Sequence, residues 1–315
     1  MGTLILASNA DEASLNLLSA IIDLDGWEEP SDLVHGRVWA HSKCEVQILL
    51  IDEIHILADG IDTKHEKAAN FQVDDVFVLS RHVSSSKTPA LTLHPIGVPG
   101  GFPPGERGVA GGINGEAPPP SPRFGPLFRI MRELATERGL GEKYDLTIEA
   151  THHGPLLSKP TIYVEIGSEE EQWIDREAAD VWAAAISVCL GLGGGQQIGL
   201  WDGDGDVMLG LGGGHYAPRH KSVILESEIW VGHILAGYAL KFEEEEENPE
   251  KSTFSWKNSL KIALKSTIKA FPGGRVFAHL DRKSFKGWQR NAIIEELESH
   301  GITVRRGREI TGECQ

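Results

Sequence analysis

Along this chain, short apolar runs alternate with longer amphipathic stretches, and that alternation limits the fold more than any other feature. Thr3–Ala7, Val46–Ile51, Val76–Leu79, Ala90–His94, Leu146–Thr151, Thr161–Ile166, Gln197–Trp201, Val207–Leu211, Arg275–Leu280 and Ile302–Val304 read as strands. Several are unbroken Val/Ile/Leu runs, the pattern of strands buried on both faces. Four helices read between them. Asp11–Leu24 follows a capping Asn9 and repeats Leu15, Leu18, Ile21 and Ile22. Ser168 and Glu171 form a capping box that opens a helix through Leu190, ended by the glycine-rich run 191–195. A third helix spans Ser255–Ala270, before Pro272, and a fourth runs from Ser284 to Gly301. Strands alternating with helices predict the α/β class: a single domain over residues 1–315, with a mixed or largely parallel central sheet flanked by helices.

Two stretches fit neither period. Residues 95–125 are rich in glycine and proline and read as a loop, either an active-site lid or a disordered insertion. Residues 243–252 carry five consecutive glutamates and read as an acidic linker. No stretch reaches the roughly 20 apolar residues of a membrane span, and the first residues lack the basic lead of a signal peptide. Cys44, Cys189 and Cys314 are odd in number and far apart, which argues against a disulfide framework. The expected location is therefore the cytoplasm, or also the nucleus, with no membrane partner.

A formal net charge of -16 disfavours indiscriminate binding to nucleic acid. The charge is segregated, however. Residues 251–290 hold ten basic residues and one acid, Asp281. Lys257, Lys261, Lys265 and Lys269 recur every fourth residue, which places them on one helix face opposite Leu260, Ala263, Leu264 and Ile268. With Arg282, Lys286 and Arg219 they are candidates for holding a phosphate backbone, against the plainer reading of a solvated helix face.

The chain has 13 histidines, and their placement narrows the chemistry. His82, His94, His152 and His153 each stand at or just beyond the end of an apolar run. Ligands in open α/β sheets bind beyond the carboxyl ends of strands, and imidazoles gathered there can ligate a metal or move protons near neutral pH. Candidate metal ligands are His82, His94, His152 and His215. Candidate catalytic groups are His152, His153, Glu149 and Glu165, the carboxylates serving as ligand, base or orienter of a histidine. Gly213 and Gly214, before His215, are candidates for presenting backbone N–H groups to an oxyanion. His35, His41, His55, His65 and His300 read as surface or loop residues. There is no HExxH, no CxxC, no P-loop and no GxSxG elbow, so an activated water is the expected nucleophile.

Several blocks taken together resemble one family. They are Leu79-Ser80-Arg81-His82 with Leu91-Thr92-Leu93-His94, Glu149-Ala150-Thr151-His152-His153-Gly154-Pro155, Val164-Glu165-Ile166-Gly167-Ser168, Gly212-Gly213-Gly214-His215-Tyr216-Ala217-Pro218-Arg219, Gly232-His233-Ile234-Leu235, and Asp281-Arg282-Lys283-Ser284-Phe285-Lys286-Gly287. On these the chain resembles the D-aminoacyl-tRNA deacylases of archaea and plants. The resemblance implies hydrolysis of the ester joining a D-amino acid to the tRNA 3′ end, a proofreading role, and zinc dependence. It also implies a fold akin to peptidyl-tRNA hydrolases and nucleoside phosphorylases. The 95–125 loop and the acidic run resemble the plant version, whose members are linked to ethanol or aldehyde tolerance. A monomer is expected. The rivals are a metal-dependent amidohydrolase or carboxypeptidase-like enzyme on small D-amino acid derivatives, and a non-catalytic tRNA-binding protein.

Overall fold

The computed structural model describes residues 1–100, 104–242 and 255–312. The acidic segment 243–252 lies outside the described residues. The strands are β1 (Thr3–Ser8), β2 (Ser31–Leu33), β3 (Gly36–Ala40), β4 (Val46–Ile51), β5 (Asp75–Val83), β6 (Ala90–His94), β7 (Asp145–Ile148), β8 (Thr161–Ser168), β9 (Asp206–Leu211), β10 (Trp230–Leu235), β11 (Arg275–Leu280) and β12 (Thr303–Arg305). The helices are α1 (Glu12–Ile22), α2 (Ile61–Ala69), α3 (Phe124–Glu137), α4 (Glu170–Trp173), α5 (Arg176–Leu190), α6 (Pro218–Leu225), α7 (Trp256–Ala270), α8 (Gly287–Ser299) and α9 (Gly307–Ile310).

The α/β class is as expected, but there are two sheets rather than one. The larger has eight strands in the order β2-β3-β4-β1-β5-β8-β6-β7, and the smaller is β10-β9-β11-β12. The smaller is parallel throughout. In the larger, β4, β1, β5 and β8 run parallel, and β6 runs against β8 and carries β7 with it. One buried apolar cluster takes residues from both sheets: Leu79, Leu93, Val164 and Ile166 from the larger, Met208, Val231 and Phe277 from the smaller. The sheets also meet through the backbone, since Ala150 N–H donates to His215 O and Thr151 N–H to Ile234 O, both at 2.7 Å.

Several local expectations are corrected. Gln197–Trp201 is a loop, because buried Arg123 claims its polar groups: the guanidinium donates to Gln197 Oε1 at 2.7 Å and to Ile198 O. Asp11, not Asn9, caps α1, accepting from Ser14 N at 2.9 Å. The helix read through 168–190 is two helices. The box is closed by Glu169 and Gln172, and Asp175 then caps α5 afresh. α8 begins at Gly287, three residues after Ser284. The segment 95–125 is ordered where described, and its end opens α3. The short strands β2, at the sheet edge, and β3, between it and β4, together with β10, α2, α3 and α6, are found only in the structure.

Candidate active site and metal centre

In a strand, successive side chains point to opposite faces. In β6, Leu91 and Leu93 enter the main core, and Thr92 and His94 point the other way. In β8, Ile162, Val164 and Ile166 enter that core, and Tyr163 and Glu165 point away. Ser80 and His82 alternate likewise with Leu79 in β5, and Glu149 follows Ile148 at the end of β7. The register seats Ser80 and Thr92 on either side of Glu165. Because β6 opposes β5 and β8, His82 and His94 do not share one carboxyl edge, as strand ends alone suggested. They reach Glu165 from opposite directions across one face.

Glu165 and Glu149 are the hubs. His82 Nδ1 lies 3.3 Å from Glu165 Oε2 and 3.0 Å from Glu149 Oε1. His94 Nε2 lies 3.6 Å from Glu165 Oε1, and Thr92 Oγ1 donates to Glu165 Oε2 at 3.1 Å. Glu149 Oε2 lies 2.7 Å from His215 Nε2 and 3.6 Å from His152 Nε2. Glu149 has no solvent exposure, yet neither of its oxygens receives a directed hydrogen bond. Its short contacts fall off the line of the ring N–H bonds. His94 Nε2 is also buried and unpartnered by hydrogen bonding.

Charge and burial set the protonation pattern. Burial would push the His82 imidazole down, but the carboxylates of Glu149 and Glu165 outweigh it and hold it up at about 11. The charged ring can then donate from Nε2 to Tyr216 Oη at 2.9 Å. Burial would raise Glu149, but His215 and His82 hold it well below the usual carboxylate range. Burial, with His94 and His153 nearby, keeps His152 low, and burial with His94 holds His153 down at about 3. His94 is raised by Glu165 against its burial.

His94, His152 and His153 each aim Nδ1 at a backbone carbonyl, at 3.1 Å to Pro95 O, 2.8 Å to Ala150 O and 2.7 Å to Gly154 O. Carbonyls only accept, so Nδ1 carries the proton, and Nε2 of a neutral ring keeps its lone pair. Adjacent residues of a strand would diverge, but His153 has a left-handed backbone (φ 43°), and its ring lies 4.4 Å from that of His152. Three donor sets each bring their atoms within 4.8 Å of one another: His94, His152 and His153; Glu149, His152 and His215; and His82, Glu149 and Glu165. Imidazole and carboxylate donors, with orphaned buried atoms among them, fit a divalent cation of zinc type.

All seven candidate histidine and glutamate positions thus converge. Two cavities flank them, of about 360 Å3 on the side of Asp11, His55, Arg81 and His82, and about 440 Å3 under Val98, Val109 and Tyr238; His152 and His153 line both. The glycine-rich loop packs on this centre, with Gly97 N–H donating to His153 O at 2.8 Å. The Gly213 N–H is held by Ser284 Oγ at 2.6 Å, and Gly214 is exposed. The candidate cations lie elsewhere. Lys257 and Lys261 pair with Glu296 of α8 at 2.9 and 3.2 Å, Arg219 pairs with Asp281 at 3.1 Å, and Lys265, Arg282 and Lys286 are exposed.

His55 was expected at the surface but is buried beside the centre, between Tyr163 Oη and Asp11 Oδ2, each at 3.2 Å. His41 and His65 are buried too. Tyr216 and Tyr238, which touch His82 and His215, were not singled out. Only their place beside a glycine-histidine segment could have marked Tyr216.

A family model described as D-aminoacyl-tRNA deacylase matches residues 69–305, a span that includes every histidine and glutamate of this centre. A D-aminoacyl-tRNA deacylase of Arabidopsis thaliana is 42% identical over 319 residues, covering 99% of this chain and 100% of that protein. One from Methanosarcina mazei is 34% identical, covering 97% and 92%. The crystal structure of a conserved protein of unknown function shares the fold at a TM-score of 0.77 and 27% identity, covering 99% of this chain and 97% of that one. Among the described residues no helix is long and apolar enough to cross a membrane. With matches running essentially end to end and the histidine-carboxylate centre inside them, the chain belongs to the D-aminoacyl-tRNA deacylase family.

Proposed function

We propose that this protein hydrolyses the ester between a D-amino acid and the 3′ end of tRNA, releasing both, as a zinc enzyme. The observation that carries the reading is the solvent-free Glu149, set among His82, His152 and His215 beside two cavities, in a chain of this family. His94, His152 and His153, or Glu149 with His152 and His215, would hold the metal. When bound, zinc supplies Lewis acidity toward the ester carbonyl. The residues do the rest. His152 is a ligand in either set, so the proton of the attacking water falls to His153, whose neutral ring keeps an Nε2 lone pair when Glu149, His152 and His215 hold the metal. Glu149 fixes His215, and the His82 cation balances the two buried carboxylates. The exposed Gly214 N–H serves the developing oxyanion, and Gly213, its own N–H held by Ser284, shapes that turn. Arg219, Arg282, Lys286 and Lys265 face the acceptor stem, with Lys257 and Lys261 contributing less through their tie to Glu296. One chain supplies the whole centre, so a monomer suffices.

The test compares D-Tyr-tRNA with L-Tyr-tRNA as substrates, before and after chelation. The expected result is hydrolysis of the D-ester alone, lost on chelation and restored by zinc, with zinc found in the purified protein by elemental analysis. Equal hydrolysis of both esters, or of neither, overturns the deacylase reading. Full activity after complete metal removal overturns only the zinc assignment.

A further inference from the structure

The lysine-bearing face of α7 is the obvious place for an RNA backbone, but the structure offers a better one. A cavity of about 390 Å3 opens at the carboxyl ends of β11 and β12 and is walled by Arg219, Arg282, Arg305, Arg306 and Arg308. Glu226 is the one acidic residue in its lining. Its charge is therefore opposite in sign to that of the whole chain, which is -16. Two of the arginines are fixed in place. Arg219 pairs with Asp281, and Arg305 pairs with Asp206 and lies over the Phe277 ring at 4.3 Å. Among the described residues, no carboxylate forms a side-chain ion pair with Arg282, Arg306 or Arg308, although Glu309 accepts from the Arg306 backbone N–H at 2.7 Å, and all three are exposed. Lys257 and Lys261, by contrast, share Glu296.

The cavity is tied to the ester-cleaving centre through one continuous segment. His215 contacts Glu149, and Arg219 is four residues on, at the start of α6. Four steps of about 3.8 Å set an upper limit of about 15 Å between their Cα atoms, a span that a few nucleotides cover. His220, on the same helix, donates or accepts at 2.8 Å with His279 of the cavity wall, and its Nε2 donates to Gly212 O at 3.2 Å. The cavity is thus braced against the turn that carries His215. Planar guanidinium groups lining one half-open cavity suit phosphate oxygens, which they bind bidentately.

The geometry points to this arginine cavity as the seat for phosphodiesters of the substrate's 3′ strand, a role that rests on the deacylase reading above. It gives a strongly acidic protein one place where a polyanion is attracted, a short step from the ester. Free phosphate or a mononucleotide would use the same chemistry, so the test separates them.

Titrate wild type and Arg306→Glu/Arg308→Glu with uncharged tRNA across a salt series, then measure cleavage of D-Tyr-tRNA and of D-tyrosyl-adenosine, which has no phosphate. The expected result is at least tenfold weaker tRNA binding by the variant and a log Kd against log salt slope shallower by about two, one for each lost phosphate contact. The loss in kcat/KM should be at least tenfold greater for D-Tyr-tRNA than for D-tyrosyl-adenosine. Both residues are exposed, and Arg306→Gln/Arg308→Gln should move the same readouts in the same direction. Unchanged tRNA affinity and salt slope, or equal losses on both substrates, overturn the assignment. So does inorganic phosphate or adenosine monophosphate binding as tightly as tRNA, which would make this a small-anion site. Failure of wild type to cleave either ester sinks the deacylase reading, while the tRNA titration still judges the cavity.

Discussion

Leu91 and Leu93 of β6 point to one face of the eight-stranded sheet and Thr92 and His94 to the other, and all four are shielded from solvent. The same division runs through β8, where Val164 and Ile166 oppose Tyr163 and Glu165. One face is held by area removed from water, against Leu17, Phe128, Trp182 and Ile186 of α1, α3 and α5. The other is equally buried: Leu4, Leu6, Val76, Val78 and Tyr163 cover part of it, but around Thr92, His94 and Glu165 it is filled with carboxylates and imidazoles, a desolvation burden that only mutual pairing offsets. Tight shielding on both faces therefore has two meanings. On the helix-covered face it produces stability, and on the other it produces perturbed proton affinities and donor atoms free for a cation.

The hardest way to break this comparison is to move a carboxylate by one residue. Val164→Glu places a charge on the apolar face, next to Glu165 in sequence but away from every imidazole. Its burial penalty, several kcal/mol, is comparable with the whole stability of a typical domain, about 5–15 kcal/mol. The expected outcome is insoluble protein or no cooperative melting transition by circular dichroism. A variant that melts like wild type would show that the two faces are not chemically distinct.

A second substitution separates stability from function on the polar face. Glu149→Gln keeps shape but removes the charge beside His82 and His215. Cleavage of D-Tyr-tRNA should fall by about 10^2–10^4-fold. The melting temperature should fall as well, because a buried charge pair loses one partner, but Glu165 still faces the His82 cation and the protein should stay folded at the assay temperature. A folded variant with wild-type turnover would make Glu149 a packing residue.

How much of this was legible in the sequence follows from the same alternation. Leu-Ser-Arg-His, Leu-Thr-Leu-His, Val-Glu-Ile-Gly and Ile-Glu-Ala each interrupt an apolar run at every second residue, so the histidines and glutamates of one face could be picked from the chain. The direction of β6 could not, because its antiparallel pairing with β8 is reached through a long excursion whose glycine- and proline-rich first part, 95–125, carries no period of its own. His55 was hidden because its partners, Asp11 and Tyr163, are remote in sequence. The lysine face of α7 showed a clear period of four, but periodicity cannot reveal that Glu296 sits across from it. Arg305, Arg306 and Arg308 carry no signal in the sequence, because only the placement of β12 brings them beside Arg219 and Arg282.

The smallest predicted effect sharpens the comparison among the imidazoles themselves. His82 is raised because carboxylates face it. His220, His233 and His65 are buried without such a partner, and burial lowers them to about 3, about 4 and about 4. His220 faces His279, beyond which lie Asp281 and Arg219; His233 faces Thr151 and the Pro118 carbonyl; His65 faces His35 and Gln47. An unfolded imidazole binds its proton near 6.5, so below that pH the unfolded chain takes up protons that these folded rings refuse, and stability falls as pH drops toward 4. Asp75, held up at about 7 by burial despite Arg123, works in the opposite sense and offsets one of the three. Glu149, lowered from 4.5, adds to acid lability only below that value. These three rings less Asp75 account for a loss between pH 6 and 5 of about 2.7 kcal/mol, two protons at about 1.4 kcal/mol per unit each, and His152 and His153, also held low, add to it in the same direction, as measured by urea unfolding at fixed salt. His233→Gln should flatten the slope by about one proton. A stability that is level or rising from pH 7 to 5 would mean that these rings take up protons in the folded state, and that a carboxylate is not what sets His82 apart.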